Sequence, residues 1–138
     1  MTERQPQEIP VRWKVRICRA AFGDAHGVLP RLVGRAELRR QAFKLQWWDD
    51  SDEQLFDLSW KPIPNTPMWV LVISDGYGFA AGFHVVFSPI EPDETLWVIA
   101  VMRSEEEITE AMTRIFQARL NVILERKDIS HDNPFGDS

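Results

Sequence analysis

The chain has 138 residues, of which 44% are hydrophobic and 27% are charged, and these amounts are typical of one globular domain. Its net charge of -5 argues against nonspecific binding of nucleic acid as the main activity, and its single cysteine excludes an intrachain disulfide. Residues 1–10 lack the apolar segment of a secretory signal, and no apolar run is long enough to span a bilayer. We therefore expect a soluble, reduced, cytoplasmic protein.

The charge is divided between two parts of the chain. Residues 1–48 contain ten Lys or Arg and four Asp or Glu, whereas residues 49–138 contain six and seventeen. The first part thus carries +6 and the second carries -11. Either the two parts neutralise each other in the fold, or each faces a partner of opposite charge.

The first half of the chain predicts a strand, a helix and a hairpin. Apolar and basic residues alternate over Val11–Ile17, which predicts a strand with one buried and one basic face. Glycines and a proline then predict a break before a helix over Pro30–Ala42. Phe43–Asp49 and Leu55–Trp60 are interpreted as two strands of a hairpin around the acidic segment 49–53.

The second half predicts three further strands. Met68–Ser74 and Phe79–Phe87 flank Asp75 and Gly76, a dipeptide that favours a tight hairpin turn. Leu96–Met102 is apolar on both faces, so we expect it to lie inside the sheet and to be covered on both sides.

A long helix is predicted to end the domain and to reach about Lys127. Ser104 and Glu107 have the spacing of a capping box at its start. A helical wheel places Arg119 within an apolar stripe that we expect to pack on the sheet. Arg119 either extends past the apolar edge, or forms a buried ion pair or a functional site. The stripe contains Ile108, Met112, Ile115, Val122 and Ile123.

A second apolar stripe lies on the same helix and contains Phe116, Leu120 and Leu124. It is covered either by another layer of the same chain or by a partner, which includes a second copy. Together the elements predict an α+β domain over 11–127 with flexible ends at 1–10 and 128–138. Its order is β-α-β-β-β-β-β-α, with a mostly antiparallel sheet of five to six strands packed by the long C-terminal helix.

Trp47 and Trp48 are the most unusual local feature. Adjacent residues of a strand point to opposite faces, so the two rings cannot both enter one core. A tryptophan that is exposed beside Asp49 and Asp50 is a good anchor for another protein, whereas a second layer of the fold is the alternative cover.

The sequence contains no convincing catalytic or metal-binding motif. The three histidines are far apart and Cys18 is alone, so no cofactor or metal is expected. His84 lies within a predicted strand, where a hydrogen-bonded histidine is the default and a catalytic base is the alternative.

A basic patch is the basis of a competing hypothesis. It would form if the first strand lay beside the first helix, and it would bind nucleic-acid phosphates. Its members are Arg12, Lys14, Arg16, Arg39 and Arg40.

One resemblance bears on this hypothesis. Residues 82–87 and 96–101 resemble the final strand pair of the RelE/ParE toxins, although those toxins are usually basic and this chain is acidic. The resemblance implies an RNA-directed ribonuclease that would use the basic patch and Arg103, with His84 as a base.

The leading hypothesis is a non-enzymatic protein that binds another protein, such as an inhibitor, an immunity protein or a chaperone-like adaptor. A homodimer through the last helix is also expected, and nucleic acid is the less favoured partner. The predicted contact residues are Trp47, Trp48, Asp49, Asp50, Phe116, Leu120 and Leu124.

Overall fold

The computed structural model describes residues 11–28, 34–51, 58–73, 82–103 and 106–126. These residues form an α+β fold with a five-stranded sheet, which confirms the predicted class. A 3-10 helix, Lys44–Trp47, follows α2. The main elements are β1 (Lys14–Ile17), α1 (Arg19–Val28), α2 (Gly34–Phe43), β2 (Ser59–Pro62), β3 (Trp69–Ile73), β4 (Phe83–Ile90), β5 (Thr95–Arg103) and α3 (Glu110–Glu125).

The strand order of the sheet is β1-β5-β4-β3-β2. The pair β1–β5 is parallel, and the other three pairs are antiparallel. Every residue of β5 from Thr95 to Met102 is buried. This burial confirms that the run from Leu96 to Met102 is covered on both faces.

The strand β1 confirms the alternation seen at the start of the chain. Its core-facing residues Val15 and Ile17 are buried, as is Trp13 just before the strand. The flanking Val11 is exposed, because β1 begins only at Lys14.

Helix α1 occupies a segment in which the sequence predicted a break. Ala21, Phe22 and Ala25 have helical spacing and are all buried against the sheet. Gly23 and Gly27 lie on the exposed side, and nothing is within 4 Å of the position that a Cβ would take on either. The two glycines cost roughly 1 kcal/mol each relative to alanine, and burial of the apolar face offsets that cost.

The predicted strand over Phe43–Asp49 is wrong, because this segment continues α2 and then tightens into the 3-10 helix. Leu38, Ala42 and Leu45 are buried at intervals of four and three residues, which is a helical rather than an alternating pattern. The observed order is therefore β-α-α-β-β-β-β-α.

The strand β2 pairs with β3, and a turn rich in proline joins them. Pro62 is paired with Trp69, and the Ile63 amide donates to the Met68 carbonyl at 3.0 Å. Asn65 adopts the left-handed conformation at the tip, with φ of 64°. The proline-rich segment between β2 and β3 is therefore the turn of a β-hairpin. The Asp75-Gly76 turn predicted between β3 and β4 lies outside the described residues, although the two strands do pair antiparallel.

Helix α3 begins later than the capping box predicted. Thr109 is its N-cap, and the Thr109 hydroxyl accepts a hydrogen bond from the Met112 amide at 3.1 Å. Glu106 instead accepts from the Arg103 amide at 3.2 Å, at the end of β5. Ser104 and Lys127 lie outside the described residues.

Candidate protein-binding surface

Trp48 is the centre of a cluster of aromatic rings in the core. Its side chain is only 2% exposed, and its ring centroid lies 5.0 Å from that of Phe87 and 5.2 Å from that of Trp69. Trp13 and Trp60 approach the same ring at 6.2 Å each. The Trp13 indole also donates to the Trp48 carbonyl at 2.7 Å. These contacts place Trp48 inside the subunit, where it presents almost no surface to a partner.

Trp47 lies on the other side of the 3-10 helix, beside Phe43. The two ring centroids are 5.5 Å apart in an edge-to-face arrangement, and Phe43 is 48% exposed. Phe43 and Trp47 are four residues apart, and the continuous helical path from α2 brings them together. Exposed Val11 lies close by, since the Arg12 amide that follows it donates to Gln46 at 2.9 Å.

Two acidic residues, Asp49 and Asp50, follow Trp48 directly in the chain and form an acidic rim. Asp49 accepts hydrogen bonds from the amide and the hydroxyl of Ser51, at 3.0 and 2.8 Å. These bonds, helped by the charge of Arg12, lower the pKa of Asp49. The Arg12 guanidinium lies 3.0 Å from the Asp49 carboxylate, and Asp50 is exposed next in the chain. We name Val11, Phe43, Trp47, Asp49 and Asp50 the ring-pair surface.

Helix α3 faces the core with parts of both predicted stripes, because Ile108, Met112 and Ile123 of the first stripe are partly buried against the core beside Phe116 and Leu120 of the second. Phe116 and Leu120 are buried, whereas Ile115 and Val122 are exposed, so the prediction that the Ile115 stripe packs wholly on the sheet is wrong. Leu124 is 40% exposed near the end of the helix. Phe116 and Leu120 contribute to the subunit's own core and present little surface to a partner.

Arg119 forms an ion pair that explains its place in the apolar stripe. Its guanidinium contacts both carboxylate oxygens of Asp24 on α1, at 2.7 and 3.2 Å, and both side chains are about a quarter exposed. The same guanidinium donates to the Ile99 carbonyl at 3.0 Å, while Asp24 accepts from the Val101 amide at 3.1 Å. Burial opposes the charge and is the largest single influence, but the hydrogen bond to Asp24 and the attraction of its carboxylate together outweigh burial and raise the pKa of Arg119. The two side chains thus provide hydrogen-bond partners for the backbone of β5 beyond Val98, where β1 no longer pairs with it.

The predicted nucleic-acid patch contains side chains with contacts inside the subunit. Arg12 pairs with Asp49 at 3.0 Å, and its guanidinium lies 5.0 Å from the Trp13 ring centre. Arg40 pairs with buried Glu37 through two hydrogen bonds, at 2.8 and 2.9 Å. Burial of Glu37 opposes ionisation, but the hydrogen bond from Arg40 leads the effects that lower its pKa.

The remaining members of the patch are divided between two elements. The Arg39 guanidinium lies 5.4 Å from the Phe22 ring centre, on the side of α2 that faces α1. Lys14 is exposed and Arg16 is half-buried on β1. Arg12 of the positive part thus pairs with Asp49 of the negative part, whereas the Arg119–Asp24 pair joins a cation of the negative part to an acid of the positive part. The RNA-directed function stays a prediction.

His84 borders a groove of about 700 Å³ between the β2–β3 hairpin and the approach to α3. Burial lowers the pKa of His84, and the nearby charge of Lys61 lowers it further. Among the described residues, none forms a hydrogen bond with the His84 ring, so no orienting acid accompanies it there. A catalytic role for His84 stays a prediction. The groove is lined by Lys61, Pro62, Ile63, Pro64, Val70, His84, Glu106, Glu107, Ile108 and Thr113.

The described part of the chain contains neither a metal-binding group of side chains nor a membrane-spanning helix. No group of three or more His, Cys, Asp or Glu side chains there is arranged to hold a metal ion. None of the helices found there is both long enough and apolar enough to cross a bilayer.

Comparisons with known proteins give this chain no relative. No protein-family model matches it, no curated protein matches it, and no solved structure matches it. The function therefore has to be argued from the surface itself.

Sequence reasoning missed the contact between Phe43 and Trp47. It predicts a strand for this segment, although the helical spacing of Leu38, Ala42 and Leu45 is a signal that the helix continues. An ion pair was one alternative for Arg119, but its partner Asp24 lies 95 positions away and no local pattern indicates it.

Proposed function

We propose that the protein is a non-enzymatic binding module that recognises another protein through the ring-pair surface. The supporting observation is the Phe43–Trp47 pair, in which an aromatic ring is 48% exposed although the same chain has buried rings around Trp48. Aromatic side chains that lie at the surface on a rigid support are the residue type that dominates binding energy at interfaces.

The support beneath the ring pair is rigid. Trp48 follows Trp47 directly and is fixed by four ring contacts and by the hydrogen bond from Trp13. A pair of rings held in this way loses little side-chain freedom on binding. The ring-pair surface is therefore preorganised.

The partner's chemistry follows from the rim. Asp49 and Asp50 border the rings, and the lowered pKa of Asp49 keeps its carboxylate ionised under mildly acidic conditions. A partner that places an apolar side chain on the ring pair and basic side chains around it fits this surface. An inhibitor, an immunity protein or an adaptor would use such a surface.

The setting that we propose is the reducing cytoplasm. Cys18 is a free, buried thiol. Burial raises its pKa, so the thiol stays protonated and is a poor nucleophile. A buried thiol of this kind acts as a small apolar residue in the core.

The test is capture by the intact protein from host lysate, followed by affinity measurement with the purified partner. We expect Phe43→Glu to weaken that affinity by about tenfold or more, because it places a charge on the apolar centre of the surface. Leu124→Glu is the matched control, since Leu124 is similarly exposed on a different helix. We also expect the association rate to fall as salt is added.

Equal affinity for wild type and Phe43→Glu would exclude the ring-pair surface as the binding site. Recovery of RNA instead of protein, with affinity that falls steeply with salt, would favour the competing RNA-directed function.

A further inference from the structure

Helix α3 has an apolar side that faces away from the core. Ile115 and Val122 are 53% and 48% exposed. Ala111 precedes Ile115, Ala118 lies between Ile115 and Val122, and both alanines are also exposed. These four residues, which we name the outer seam, are spaced by four, three and four positions. This is the a/d spacing of a helix that packs along another helix. Phe116 and Leu120 already attach α3 to the core, so the outer seam is not needed for that purpose.

We propose that two copies of the chain form a symmetric dimer in which their α3 helices pack antiparallel along the outer seam. The inference goes beyond the proposed function, because the outer seam and the ring-pair surface share no residue. A two-fold axis between the helices makes the interface isologous, so each copy contributes the same residues.

A second copy of the chain fits the outer seam because small and large side chains alternate along it. In an antiparallel pair, Ile115 lies opposite Ala118 of the partner subunit. In the same register, Val122 lies opposite Ala111 of the partner subunit, since both pairs of positions have the same midpoint. All four layers of the seam therefore match a branched side chain with an alanine, which allows close packing without voids.

A parallel pair does not have this complementarity. It would place isoleucine on isoleucine and alanine on alanine, which leaves crowded layers beside empty ones. It would also bring together the acidic starts of both helices, where Glu110 opens α3 and Glu106 and Glu107 lie just before it. The antiparallel arrangement separates these acidic starts by the length of α3, about 24 Å for its sixteen residues. Each acidic start then lies at the end of the partner helix that carries Arg126.

The cations nearest the two-fold axis do not oppose the arrangement. Arg114 forms an ion pair with Glu110 at 2.9 Å, one turn earlier on the same helix. Arg119 is paired with Asp24 on α1. Each guanidinium group is therefore already paired with a carboxylate of its own subunit when the two helices come together.

The first experiment is sedimentation velocity of the full chain over a range of concentrations. We expect wild type to shift from monomer towards dimer as concentration rises, because a contact between two helices is small and the dimer is weak. Ile115→Glu is expected to remain monomeric, whereas Leu124→Glu, which is exposed on α3 but outside the seam, is expected to dimerise like wild type. Far-UV circular dichroism checks that each variant is folded. A wild type that is still monomeric at about 1 mM, or equal dimerisation of the Ile115→Glu variant, would overturn the proposal.

A second variant separates the matched seam from a merely apolar patch. Ala118→Leu adds apolar area but fills the space that Ile115 of the partner subunit requires. We expect it to weaken dimerisation by about tenfold or more, because overpacking of a close contact forces side chains and backbone out of their preferred positions. Unchanged or stronger dimerisation of this variant would contradict the antiparallel register.

The register is tested directly by interchain cross-linking. An Ala111→Cys chain mixed with a Val122→Cys chain is expected to form a mixed disulfide dimer, since these positions face each other across the axis. Each variant alone is expected to cross-link poorly. Efficient cross-linking of Ala111→Cys with itself would show a parallel pair and overturn the proposed arrangement.

Discussion

Ile115 and Phe116 are neighbours on α3, yet Ile115 is 53% exposed and Phe116 is 5% exposed. Both belong to apolar stripes with helical spacing, so hydrophobicity alone does not decide which side of the helix enters the core. The ion pair between Arg119 and Asp24 joins α3 to α1, and it holds the helix in this rotation together with the packing of Phe116 and Leu120 on the core. The comparison teaches that apolar spacing alone does not decide which face of a helix is buried.

The inner side of α3 is expected to determine the stability of the subunit. Phe116→Ala should lower the free energy of unfolding by about 3–5 kcal/mol, because it leaves a cavity in the core. Ile115→Ala should change it by less than about 0.5 kcal/mol when measured at low protein concentration, where the monomer dominates. Urea denaturation of both variants makes the measurement. Equal losses for the two variants would mean that α3 is rotated differently from the structure.

Phe43 and Trp48, on either side of the 3-10 helix, show the same contrast between an exposed and a buried ring. Trp48→Ala should cost about 3–5 kcal/mol of unfolding free energy, since it removes the ring that Phe87, Trp69 and two other aromatics contact. Phe43→Ala, on the exposed side, should cost under about 1 kcal/mol in the same denaturation assay. A small loss for Trp48→Ala would show that the aromatic cluster is not part of the stable core.

The rotation of α3 can be tested through Arg119. Arg119→Met should lower the free energy of unfolding by about 1–3 kcal/mol, because Asp24 and the Ile99 carbonyl both lose a hydrogen-bond donor. Arg114→Met is the matched control on the same helix, and its exposed ion pair should contribute less than about 0.5 kcal/mol. A double-mutant cycle with Asp24→Asn isolates the coupling, and additive losses would argue against the pair.

The smallest expected effect concerns His84, beside the approach to α3. Because burial lowers its pKa below the ordinary histidine value of 6.5, the unfolded chain binds more protons than the folded chain between the two pKa values. This contribution to stability is present above pH 6.5 and is lost as pH falls towards the folded pKa.

The measurement is urea denaturation at roughly pH 5 and pH 8, on either side of the ordinary histidine pKa. His84→Gln should flatten the difference between the two conditions, whereas His26→Gln, at an exposed position on α1, serves as the control. An NMR titration that finds the pKa of His84 at or above the usual value would contradict this account.

The sequence predicted the strands well where the pattern was strictly local. Alternation identified β1, and continuous apolar runs identified β3, β4 and β5, because the side-chain period of a strand is visible in a few residues. Helix α1 was not predicted, because Gly23 and Gly27 were interpreted as a break in spite of the helical spacing of Phe22 and its buried neighbours.

The candidate site was harder to predict than the fold. The pair of exposed Phe43 and half-buried Trp47 depends on a helix that continues through residues 43–47, which the alternation pattern predicted as a strand. The rotation of α3 depends on Asp24, which is 95 residues away from Arg119. Such long-range choices are decided by tertiary contacts, and a single sequence does not contain them.

Thermal unfolding at several protein concentrations tests most directly whether the inner side of α3 serves one subunit while its outer seam is shared between two. The melting temperature of wild type is expected to rise with concentration, because dimerisation stabilises the folded state by mass action. For Ile115→Glu the melting temperature is expected to stay constant. A wild-type melting temperature that does not depend on concentration would contradict the claim that the outer seam of α3 belongs to a second copy.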